Sequence, residues 1–174
     1  LNEPECFVGL GHLSGVHAPG KKMSYEDTFR IAHNALRAHG KAVINLRKYA
    51  KRQIKIGYAP TCGMAYPASN KAEDIEAARK VLFSFYNPMD NWTWNVAWFN
   101  DPVFLGKYPA HGLTQFKNYL PEITKEDMEL ISQPITVIWC APERTVSRNL
   151  WTDLPDFLRQ RRDGLLRRNV CTGV

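Results

Sequence analysis

An α/β fold with parallel strands covered by helices is predicted for this 174-residue chain by three features. A long amphipathic pattern runs over residues 25–50, a short β-type run follows at 54–59, and a second helical pattern begins near Ser69 and Asn70. Helix, strand and helix in alternation is the mark of strands laid side by side beneath covering helices.

The elements can be justified in order. Residues 2–23 carry Pro4, Pro19 and the glycines Gly9, Gly11, Gly15 and Gly20 without a helical period, and predict a loop. Ser24 followed by Asp27 is a variant of the capping box, and Phe29, Ala32, Leu36, Val43 and Leu46 then recur at helical spacing, with Arg30, Arg37, Lys41 and Lys48 on the outer face. Ile54, Ile56 and Tyr58 form a buried-strand run ended by Pro60. Asp74, Ile75, Ala78, Val81, Leu82 and Phe85 continue the second helix, which ends before Pro88. Thr124 and Asp127 open a third helix that ends near Ser132. The connection 87–121 holds Trp92, Trp94, Trp98, Phe99, Phe104, Tyr108, Phe116 and Tyr119, too much aromatic surface for an exposed linker. Its rings either pack on the sheet and helices or line a cleft for a ligand with apolar faces, such as a sugar ring.

Composition narrows the class. Hydrophobic residues make up 44% and charged residues 23%, which excludes disordered, collagen-like and disulfide-scaffold chains. No apolar run approaches the roughly 18 residues of a membrane span, and the opening residues lack a signal-peptide pattern. Cys6, Cys62, Cys140 and Cys171 form no C-x-x-C pair, so neither a zinc site nor dithiol chemistry is expected; no cofactor or metal is expected, and thiols of a reducing, cytoplasmic compartment are. A chain whose first residue is Leu1 is expected to be a processed product or a piece of something longer. The net charge is +6, but cations and acids alternate over the first two thirds, so no nucleic-acid partner is expected. His33 and His39 lie six apart, off the spacing of helical metal ligands, and are expected to be structural.

Composition shifts near residue 136. Before it stand 11 Lys and 5 Arg, after it 7 Arg and no Lys, with Arg159, Arg161, Arg162, Arg167 and Arg168 in a basic arm. The chain therefore divides into residues 1–135 and an irregular, Arg-rich tail, 136–174.

Asn2-Glu3-Pro4, then Gly9, Gly11, Gly15 and His17-Ala18-Pro19-Gly20, then His33-Asn34 and Ala38-His39 on a long helix, together resemble the family 1 glycoside hydrolases, the β-glucosidase and β-galactosidase family. Ile56-Gly57, Asp101-Pro102 with Gly106-Lys107-Tyr108-Pro109, and Ser132-Gln133-Pro134-Ile135 extend the resemblance over residues 1–135. The resemblance implies a partial (β/α)8 TIM barrel, from the end of strand four to about helix five and the segment after it. It implies that Glu3 is the general acid/base at the end of strand four, that Asn2 bonds the glycone 2-hydroxyl, and that Cys6 either faces the aglycone side or is a buried thiol with a packing role. Trp94 and Trp98 are candidate walls of an aglycone cleft. A β-glucoside or β-galactoside is the implied substrate.

Retaining glycoside cleavage needs an acid to protonate the departing oxygen and a carboxylate about 5 to 5.5 Å away to attack the anomeric carbon. Glu3 suits the first role; to act near neutral pH it needs a raised pKa from an apolar wall or a neighbouring charge. The family's nucleophile belongs to a T/I-E-N-G segment, and none occurs here. Glu143, Asp153, Asp156 and Asp163 stand in other contexts, so no residue of this chain is assigned as nucleophile. A whole barrel needs roughly 200 to 250 residues, more than this chain has.

The tail has its own explanation. If each codon is rebuilt from the third base of one residue and the first two of the next, residues 162–174 can encode G-W-P-V-T-P-E-C-L-Y-W-G, which resembles the family's sequence between strands six and seven. A change of reading frame near residue 136 is expected. Two functional classes follow: a retaining β-glycosidase represented by its acid/base segment, or a non-catalytic truncated product that binds sugar or nucleic acid weakly. A slice of parallel barrel leaves sheet edges uncovered, so self-association is expected.

Overall fold

The computed structural model describes residues 1–62, 65–85, 89–138 and 141–142. The dominant element is α1, Tyr25–Tyr49. Ser24 caps it by accepting from the Asp27 N–H at 3.1 Å, and Glu26 and Asp27 in its first turn and Arg47 and Lys48 in its last complement the helix dipole. Phe29, Ala32, His33, Leu36, His39, Gly40 and Val43 recur at three- and four-residue steps and form its buried face. Leu46, one helical step further, is 51% exposed.

The third predicted helix is α5, Lys125–Ile131, closed by a reciprocal box in which the Asp127 N–H donates to Thr124 Oγ1 (3.1 Å) and the Thr124 N–H to Asp127 Oδ2 (3.3 Å). It packs so closely on α1 that a Cβ added at Gly40 would stand 2.0 Å from the Leu130 carbonyl oxygen. The Asp127 carboxylate also receives the Arg37 Nε at 2.7 Å and lies 3.4 Å from His33 Nε2. Between them lie α2, Ala72–Phe83, α3, Val96–Leu105, and α4, Ala110–Gln115.

The aromatic connection is core. Phe29 of α1 stacks on Trp92 with centroids 4.0 Å apart, and Trp98 meets Phe29, Phe85, Trp92, Tyr108 and Phe116. Trp92, Phe99 and Phe116 are each at most 1% exposed. Full burial of such rings supplies on the order of 2 to 3 kcal/mol apiece, before the entropy of ordering them.

The strands are short: β1, Gly57–Tyr58, β2, Thr61–Cys62, β3, Val137–Ile138, and β4, Ala141–Pro142. β1 pairs in parallel with β3 and β2 with β4, while Asn2 forms a parallel bridge to Ala59. Three stretches far apart in sequence thus run side by side in one direction, as the alternation of helix and strand predicts.

Two expectations need correction. Residues 2–23 are not all loop: Cys6–Leu13 coils as a wide π-helix with the Ser14 N–H donating to the Gly9 carbonyl. Its glycines serve close packing, since a Cβ at Gly9 would stand 2.8 Å from Thr93 Oγ1 and one at Gly11 2.7 Å from the Ala18 carbonyl oxygen. The tail, expected to be irregular from residue 136, opens with β3 and β4, because Val137 and Ile138 meet the ready partner β1. The Arg-rich arm and Pro88 lie outside the described residues. Among the described residues no helix is long and apolar enough to cross a membrane.

Candidate active site

The site is built at the parallel bridge between Asn2 and Ala59. The Ala59 N–H donates to the Leu1 carbonyl (3.0 Å) and the Glu3 N–H to the Ala59 carbonyl (2.6 Å), which fixes residues 1–3 against the strand leading to β2. Pro4, with no N–H and a locked φ, ends the ladder. The chain leaves through Glu3 itself, whose φ of 39° lies in the left-handed region that a side chain rarely adopts. Such a conformation costs on the order of 1 to 3 kcal/mol and is held only where the surroundings over-determine it. Here the Cys6 and Phe7 N–H groups both donate to the Glu3 carbonyl, at 3.1 and 3.3 Å.

Glu3 is half-buried, and the Cys6 thiol donates to its Oε2 at 3.5 Å. Asn2 beside it is exposed. The structure therefore brings Glu3, Asn2 and Cys6 together on one turn directly after the parallel bridge of Asn2 to Ala59. Trp94 is half-buried at the end of the 3₁₀ turn Met89–Trp94. Trp98 belongs elsewhere. At 2% exposure and surrounded by five aromatic rings, it offers no free face to a sugar, and its expected place on a cleft wall gives way to one in the core.

Sequence reasoning missed Glu5. It is 2% exposed, and its Oε2 accepts from the Thr61 N–H at 3.1 Å. Burial pushes its carboxyl up to about 8, the charge of Glu3 adds to the rise, and the Glu5 and Thr61 N–H groups oppose it. Glu5 is buried and anchored, so it is no second carboxylate for attack on a sugar. The one visible signal is an acid standing directly before the apolar run Cys6-Phe7-Val8.

The two helical histidines are structural. His33 Nδ1 lies 2.9 Å from the Tyr108 hydroxyl, and burial, against the pull of Asp127, lowers its pKa. His39 is 4% exposed, and burial lowers its pKa to about 4, so it is neutral at pH 7. Among the described residues no group of three or more His, Cys, Asp or Glu could hold a metal ion.

Comparison with known proteins agrees on one family. The model of glycosyl hydrolase family 1 matches residues 1–143. "Beta-glucosidase A" of Acetivibrio thermocellus is 40% identical over 139 residues, which are 79% of this chain and 28% of that protein. "Beta-glucosidase A" of Thermotoga maritima is 41% identical over 138 residues, again 79% of this chain and 28% of the relative. Among solved structures, a β-glucosidase from Thermotoga maritima in complex with glucoimidazole superposes with a TM-score of 0.61 at 38% identity, covering 80% of this chain and 30% of that one. These structural neighbours are family 1 TIM-barrel glycosidases. The chain spans less than a third of the length of these three relatives.

Proposed function

We propose, since this chain belongs to glycosyl hydrolase family 1, that it is the acid/base segment of a retaining β-glycosidase acting on β-glucosides or β-galactosides. Glu3 protonates the departing glycosidic oxygen and then deprotonates the incoming water. Asn2 bonds the glycone 2-hydroxyl, and Cys6 and Trp94 border the aglycone side. The observation that carries the reading is the position of Glu3: a half-buried residue directly after a parallel bridge, in a left-handed conformation held by Ala59, Cys6 and Phe7. Barrel catalysis sits at the carboxyl ends of strands. The order β3 beside β1 and Ala59 beside Asn2 supports a slice of barrel running from strand four through strand five to strand six.

The segment supplies no nucleophile, so it should not hydrolyse an aryl β-glucoside alone. Its chemistry is tested by exchanging residues 1–135 for the matching segment of Beta-glucosidase A from Thermotoga maritima. The chimaera is expected to turn over an aryl β-glucoside and to lose that turnover with Glu3→Gln. A chimaera that is active and indifferent to Glu3→Gln contradicts the reading.

A second reading, a non-catalytic truncated product that binds sugar or nucleic acid weakly, is favoured by one observation: no T/I-E-N-G segment occurs in the 174 residues. A melting-temperature shift with cellobiose supports sugar binding, and a salt-dependent shift with DNA supports the Arg tail. The frame change near residue 136 is tested by the coding DNA, which should spell family words in the shifted frame. Exposed Leu1 and Phe7 and the short sheet edges support self-association, measured as mass in solution. The scattered cysteines support a reducing, cytoplasmic setting.

A further inference from the structure

Parallel ladders proceed in alternate rungs. The Ala59 N–H takes the Leu1 carbonyl and the Ala59 carbonyl takes the Glu3 N–H, so the next rung calls for the Thr61 N–H to donate to the Glu3 carbonyl. That carbonyl is occupied, because the Cys6 and Phe7 N–H groups start the π-helix on it. The rung is made by a side chain instead: Thr61 donates to Glu5 Oε2 at 3.1 Å, with Thr61 5% and Glu5 2% exposed. The turn that carries Glu3 is therefore fastened on both sides, by the Glu3 N–H on Ala59 and by the Glu5 carboxyl on Thr61.

We infer that Glu5 is a positioning residue for the acid/base, a side chain that stands in for the missing ladder rung and holds Glu3 in its left-handed conformation with its carboxylate against the Cys6 thiol. The inference rests on the assignment of Glu3 as acid/base. The rung needs an acceptor oxygen, not a negative charge, and a carboxyl raised to about 8 is such an acceptor in its protonated form at neutral pH. Glutamine should therefore replace it, and methionine, of similar size and without a strong acceptor, should not.

The test compares Glu5→Gln and Glu5→Met in the full chain by two readouts, amide exchange and the alkylation rate of Cys6. Expected for Glu5→Met is exchange at Thr61 faster by about tenfold or more, as when a buried N–H loses its acceptor. Cys6 alkylation should change by about threefold or more as its contact with Glu3 is lost. The α1 amides should stay within about twofold of wild type, since α1 does not depend on the rung. Glu5→Gln should keep the wild-type values at all three. Wild-type behaviour of Glu5→Met, equal loosening in both variants, or acceleration shared by α1 would each overturn the inference, the last by showing that Glu5 merely packs. Neither readout depends on sugar chemistry, so this outcome is separate from that of the chimaera with Glu3→Gln, which tests the glycosidase reading itself.

Discussion

The helical layer and the strand edge of this chain are built on opposite terms. Under α1, Phe29, Trp92, Trp98, Phe99 and Phe116 surround one another, and each is at most 2% exposed. At the strand edge Leu1 is 39% and Phe7 47% exposed, the strands are two residues long, and order comes from hydrogen bonds at Ala59 and Thr61. The helical layer is closed by packing within the chain, whereas the turn that carries Glu3 is held by a few hydrogen bonds to the strand beside it. Stability and chemistry therefore respond to different substitutions.

The sharpest contrast is expected from Trp98→Ala, which should cost about 3 to 5 kcal/mol and abolish cooperative unfolding, since the ring fills the centre of the aromatic cluster. A urea titration followed by fluorescence and far-ultraviolet dichroism checks this. Gly40→Ala should cost about 1 to 3 kcal/mol, because its Cβ would meet the Leu130 carbonyl oxygen at 2.0 Å and push α5 off α1. Asp127→Ala should cost about 1 to 2 kcal/mol through loss of the carboxylate that accepts from the Thr124 N–H and pairs with Arg37, read as a lower urea midpoint.

A pH series separates the two regions again. Glu5 keeps its proton to about pH 8 when folded, against an ordinary value of 4.5, so the folded chain binds more proton over that interval. Its contribution is full below 4.5 and is lost as pH rises through 8, at no more than about 1.4 kcal/mol per pH unit. His39, lowered from 6.5 to about 4, acts in the opposite sense, making the chain more stable as pH rises between those values. Wild-type stability should therefore decline cleanly from pH 6.5 to 8, and Glu5→Gln should flatten that decline; an unchanged slope contradicts the burial of this acid. The smallest effect is expected from Glu3→Gln, within about 0.5 kcal/mol of wild type by thermal melting, because a half-exposed carboxyl contributes little to packing.

Much of the helical layer was legible in the sequence. Ser24, Asp27 and the spacing of Phe29, Ala32 and Leu36 define α1, and Thr124 with Asp127 defines α5, because caps and periodicity are local. The strand edge was less so. Gly9 and Gly11 read as loop residues, but they are required by Thr93 and Ala18, contacts that no local pattern announces. The rung between Glu5 and Thr61 spans 56 residues, so the burial of that acid depends on a partner on another strand. The Asn2-Glu3-Pro4 motif proposes Glu3 as acid/base through resemblance alone; nothing in its spacing shows that Glu3 sits at a φ of 39° or that a second acid fastens its turn.

The most direct test of the central claim, that Glu3 is the proton donor, varies the leaving group in the chimaera carrying Glu3→Gln. A dinitrophenolate departs without a proton and an alkoxide does not, so removal of the acid should lower kcat/KM, which reports the glycosylation step, for cellobiose or an alkyl β-glucoside far more than for a dinitrophenyl β-glucoside, in the range of about 10²- to 10⁴-fold for the proton-requiring step. Equal losses for both classes of leaving group, or no loss for either, would contradict Glu3 as the acid.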